Sequence, residues 1–112
     1  MSDDPAAKIA ARLAEIWRTT RPTVLERVAL LQASCETLSR NPADQDARNQ
    51  GREAAHKLSG VLGVFGLPQG SELASAIEEL LAAEEPLTPA DLSNMREQIA
   101  KLDAVIASKE PS

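Results

Sequence analysis

Gly51-Arg-Glu-Ala-Ala-His56-Lys-Leu-Ser-Gly60-Val-Leu-Gly63-Val-Phe-Gly66 is the stretch on which the reading of this 112-residue chain turns. At roughly 100° per residue it forms an amphipathic helix. Ala54, Leu58, Val61, Leu62 and Phe65, with Ala47 upstream, gather on one face, and His56 points about opposite to their centre. A helix that is apolar on one side must bury that side against other helices, so the stretch predicts a helical bundle with the imidazole turned to water.

The pattern around it runs without a proline from Pro42 to Phe65, with Asn41 as a good N-cap and Gly66 as a C-terminal stop. It predicts the longest helix of the chain. Pro5, Pro22, Pro68 and Pro89 each stand where a further helix can begin at its first turn. A first helix from about Ala6 to Trp17 has Ile9, Leu13, Ile16 and Trp17 on one face, and a second from Pro22 to Asn41 places Val24, Val28, Leu31, Cys35 and Leu38 at steps of four and three. Beyond Gly66, a helix from Pro68 carries Leu73, Ile77, Leu80 and Leu81 before Glu84-Glu85-Pro86 ends it. A last helix opens at Thr88-Pro-Ala-Asp91, which has capping-box form, and repeats Leu92, Met95, Ile99, Leu102 and Ile106. Nothing alternates with the period of a strand. The expected fold is all-α: an up-and-down four-helix bundle with an additional N-terminal helix, in one domain over residues 1–112 with short polar tails at about 1–5 and 109–112.

Composition narrows the function. Aromatics are 2% of the chain, so the core must be built from alanine and leucine, which suits helix on helix. The net charge of -5 sets a nucleic-acid or anionic-membrane surface against the overall field, and no apolar run approaches the roughly 18 residues of a membrane span. Cys35 is the sole cysteine, which excludes an internal disulfide and any cysteine-rich metal centre and suits a reducing cytoplasm. Cys35 and Trp17 both fall on apolar stripes and are expected in the core, not as a reactive thiol or a partner anchor. With an initiating methionine, a polar end and no room for an ATP-binding domain, the chain is expected to be free-standing and not a domain of a larger kinase, and it is expected to be a monomer.

The chemistry collects around His56, the only histidine. Gly60 and Gly63 lie four and seven residues on, stacked on the same exposed stripe. Each costs roughly 1 kcal/mol relative to alanine in an exposed helix interior. Two of them beside an imidazole clear a strip of backbone for the close approach of a partner. Arg52 and Lys57 are cations flanking the ring, suited to offset the negative charge of a phosphoryl group.

Ala55-His56-Lys57-Leu58-Ser59-Gly60, followed by Gly63 and Gly66, resembles the signature of the histidine phosphotransfer (HPt) family, Ala-His-x-Leu-x-Gly with further glycines at spacing of three. The resemblance spans essentially the whole chain. It implies a phosphoryl carrier without catalysis of its own, in which His56 attacks a receiver domain's phosphoaspartate, holds the group as phosphohistidine and passes it to another receiver's aspartate. Receiver domains, and a hybrid sensor kinase, are the implied partners. The receiver supplies the Mg²⁺, so this chain is expected to hold no metal and no cofactor. Arg52, Lys57, Ser59, Gly60 and Gly63 become the partner-binding residues, and Glu78 the supporting group that fixes the proton on Nδ1. One position departs from the pattern: many members carry lysine three residues after the histidine, where this chain has Ser59, leaving the charge to Lys57 and Arg52. The alternative reading is a non-enzymatic helical module that binds a partner through one face without phosphorylation.

Overall fold

Four helices account for nearly all of residues 4–109, which the computed structural model describes: α1 (Pro5–Arg40), α2 (Gln45–Val64), α3 (Pro68–Ala82) and α4 (Pro89–Ser108). No strand occurs among the described residues. Several helix ends have a local cause. Asp4, Asp44 and Thr88 cap α1, α2 and α4 by accepting from Ala6, Ala47 and Asp91 backbone N–H groups, and Asp91 returns the bond to Thr88 to complete the capping box. Gly66 takes φ +72°, a left-handed conformation that glycine adopts without strain, and lets Leu67 N–H reach the Leu62 carbonyl at 2.9 Å. This closes α2 in a Schellman turn.

The helices pack in a ring, α1 on α2 and α4, and α3 on α2 and α4, as an up-and-down bundle requires. Val24, Val28, Leu31 and Leu38 of α1 meet Ala54, Leu58 and Leu62 of α2, Ala74, Ile77 and Leu81 of α3, and Leu92 through Ile106 of α4 in one core. Cys35 is buried and donates to the Leu92 carbonyl, and Trp17 is buried with its ring 5.1 Å from that of Phe65. None of the described helices is long and apolar enough to cross a membrane.

Two expectations about the helices are corrected. No separately packed N-terminal helix exists among the described residues, because α1 runs unbroken through Pro22. Proline inside a helix costs about 3 kcal/mol. Here the stripe before it stays in phase with the stripe after it: Trp17, Val24, Val28, Leu31, Cys35 and Leu38 all face the core. Arg18-Thr-Thr-Arg21 offers no glycine or asparagine at which the chain could turn. At 36 residues α1 is therefore the longest helix, and its first three turns project past the bundle. Ile9, Leu13 and Ile16, expected to pack, are 62%, 38% and 40% exposed. The second correction is the start of α2. Asn41 caps a turn, its side chain accepting from Ala43 N–H, and Asp44 takes the N-cap three residues later.

Arg48 on α2 is buried without a carboxylate partner among the described residues. Its guanidinium donates to the carbonyl of Leu81 in the last turn of α3 and to those of Ala83 and Glu85 just beyond it. A fixed fork of donors satisfies the helix terminus that no glycine closes.

Candidate phosphoryl-accepting site

The site lies where α2 and α3 run antiparallel. His56 sits midway along α2 with its side chain 75% exposed, so the helical wheel places it as the structure does. Its Nδ1 lies 2.7 Å from Glu78 Oε2 on α3, and Glu78 is the more sheltered partner at 27% exposure. An ionised carboxylate only accepts, so this contact holds a proton on Nδ1. In the neutral ring Nε2 then keeps its lone pair and faces solvent.

One turn along, Ser59 Oγ stands 2.7 Å from Ser75 Oγ, and Ser71 Oγ donates to the Ser59 carbonyl at 2.7 Å. Ser59, expected among the partner-binding residues, is half-buried and directed into the α2–α3 seam. Gly63 is exposed opposite Ser71, whose hydroxyl would make ordinary contact with an added Cβ at 3.7 Å. Gly60 is open: a Cβ there meets nothing within 4 Å. The bare strip beside the imidazole is thus present, and no intramolecular packing accounts for the glycine at 60. By contrast Gly51 is a packing glycine, where a Cβ would stand 2.9 Å from Leu81 Cδ1 and 3.2 Å from Ser34 Cβ.

The family model described as Hpt domain matches residues 12–105. The chain belongs to the Hpt domain family. Protein RcaC of Microchaete diplosiphon is 30% identical over 99 residues, which are 88% of this chain and 15% of that protein. The chain therefore spans only a small part of that relative's length. No solved structure matches the chain significantly. Membership places this Hpt domain, at the level of the family, in two-component phosphotransfer.

The cations of this Hpt domain are placed less simply than the sequence suggests. Lys57 Nζ is paired with Glu53 Oε1 at 2.9 Å on the exposed face, one helical turn apart. The hydrogen bond from Lys57, and its charge, hold the Glu53 carboxyl below its ordinary value. Arg52 borders a shallow depression beside His56 that Asn49, Glu53 and Glu78 also line. Sequence reasoning missed Asn49, Ser71 and Ser75. The serines did leave a signal, since Ser71, Ser75 and Glu78 follow one another at four and three residues along α3. It becomes readable only once α3 is known to run antiparallel to α2.

Proposed function

We propose that His56 carries a phosphoryl group between the aspartates of receiver domains in a phosphorelay. The single observation that supports this best is the exposed imidazole held by Glu78 through Nδ1 beside the open Gly60. Nε2 attacks the phosphorus of a receiver's phosphoaspartate, the Nε2–P bond forms as the acyl P–O bond breaks, and the aspartate leaves as a carboxylate. The proton on Nδ1 stays in place, so the phosphorylated ring is cationic, and the Glu78 carboxylate balances that charge through the bond it already accepts. Transfer to a second receiver reverses the step and returns Nε2 its lone pair.

Gly60 and Gly63 let the receiver's loops come within bonding distance, and Arg52 and Lys57 draw in the acidic pocket of the receiver. The Glu53 pairing tempers the pull of Lys57, which leaves Arg52 as the less encumbered cation at the ring. Receiver domains, with a hybrid sensor kinase upstream, are the partners; the protein works as a cytoplasmic carrier and not as an enzyme.

The test is incubation with phosphorylated receiver domains from the same genome, following label on both proteins. Label moving to this chain and on to a second receiver is expected, with none on His56→Gln. Binding of receivers without any transfer of label would replace this reading with that of an interaction module.

A further inference from the structure

α3 touches α2 through a series of polar contacts in one constant register. His56 hydrogen-bonds Glu78, Ser59 hydrogen-bonds Ser75, and Gly63 stands across from Ser71, whose hydroxyl would lie 3.7 Å from an added Cβ, so each step of three or four residues up α2 is matched by the same step down α3. Arg48 grips the far end of α3 through three carbonyls. The Glu78 carboxylate therefore sits between two fastenings, the Arg48 fork on one side and the serine seam on the other.

The apolar contacts of α3, through Ala74, Ile77 and Leu81, do not by themselves define this register sharply. Hydrophobic burial is non-directional, and alanine is a shallow knob against which a helix can slide or roll. Hydroxyl contacts at 2.7 Å are directional. They are also half-buried, so misplacing them leaves polar groups partly desolvated and unpaired. Glutamate has a long side chain with several rotamers, and its carboxylate stays on Nδ1 only if the backbone that carries it is held.

We infer that Ser59 and Ser75 are positioning residues for phosphotransfer: their shared hydrogen bond, braced by Ser71, sets the register of α3 so that Glu78 holds the His56 proton on Nδ1. This rests on the proposed role of His56 and adds a device to it.

Two readouts test it in the full chain. The ¹⁵N shifts of the His56 ring report which nitrogen carries the proton, without any phosphate present, and the rate of label transfer from a phospho-receiver reports function. Ser59→Ala, Ser75→Ala, Glu78→Ala and the combinations are compared, with urea midpoints measured alongside. Either serine variant is expected to move the ring toward the Nε2–H form that an unpartnered imidazole favours. It should also slow transfer about threefold to tenfold, the equivalent of one net hydrogen bond. In the Glu78→Ala background the serine substitutions should change neither readout, because their effect passes through Glu78. The inference is overturned if the Ser59→Ala, Ser75→Ala double variant keeps the wild-type tautomer, or if it slows transfer equally with and without Glu78. Should the wild-type protein accept no phosphoryl group, the function proposed for His56 falls, while the tautomer measurement still decides this inference.

Discussion

A Cβ added at Gly60 meets only solvent, whereas one added at Gly51 runs into Leu81 and Ser34, so the same substitution has opposite consequences five and four residues either side of His56. Gly60→Ala is expected to raise stability by up to about 1 kcal/mol, since an exposed helix interior favours alanine and the unfolded chain loses freedom. Gly51→Ala is expected to lower it by about 1–2 kcal/mol through overpacking. Urea denaturation midpoints check both. Gly60→Leu should stay folded and yet transfer label far more slowly, because the added bulk would stand in the path of the proposed receiver. Cys35 is the other residue with a sharp expectation. Burial pushes its thiol up, outweighing the Arg96 guanidinium that pulls it down, with Glu36 adding a smaller push upward. The folded state thus favours the protonated thiol, so stability should decline as pH rises past the thiol's ordinary value of 9.0 toward its higher folded one. Iodoacetamide should label Cys35 slowly in native protein and quickly in urea; rapid native labelling would contradict this. At this scale the sequence was informative about direction from the helix axis, which put His56 outside and Cys35 inside. It could not say what stands across the gap, and that is why the hydrogen bond of Ser59 to Ser75 on α3 escaped it.

The ends of helices were legible wherever a side chain caps its own backbone. Thr88 with Asp91, and Gly66 with its positive φ, work through neighbours a few residues away, so periodicity and capping rules place α4 and the end of α2 correctly. Two features escaped because their causes are distant. The continuation of α1 through Pro22 depends on a core that receives Trp17 and Val24 on one face. The fastening of α3 depends on Arg48, 33 residues before the first carbonyl it holds. Arg48 did carry a clue, standing seven residues before Ala55 and fourteen before Leu62, both buried. Arg48→Ala is expected to cost about 2–4 kcal/mol, since it strips three carbonyls of their donors at a partly buried helix end. Arg48→Lys should recover only a fraction, because an ammonium cannot span the three acceptors as the planar fork does. Thermal unfolding of both variants checks this, and equal stability of the Lys variant with wild type would refute the fork.

The whole molecule is 57 Å long and about 20 Å across, a proportion set by α1 alone. Through residue 16 no residue of α1 is buried, and the match to the Hpt domain begins at residue 12. Removing residues 1–12 is accordingly expected to leave stability within about 1 kcal/mol of the full chain, whereas Trp17→Ala, which empties a site packed on Phe65, should cost about 3–5 kcal/mol. Calorimetry on the two variants separates them. The bundle, its core and its histidine-bearing helix could be read from the sequence because they rest on periodicity. The projecting arm could not, since an apolar stripe records only a preference for burial and not whether the fold supplies a surface to cover it. By holding Nδ1 from behind through Glu78, the fold leaves the other side of the exposed His56 ring, with Nε2, open to attack. The measurement that tests it most directly is the site of attachment in the phosphorylated protein, read by ³¹P–¹⁵N correlation after transfer from a phospho-receiver. A phosphoryl group bonded to Nε2 of His56 is the expected result; attachment at Nδ1, or at any other residue, would contradict the account.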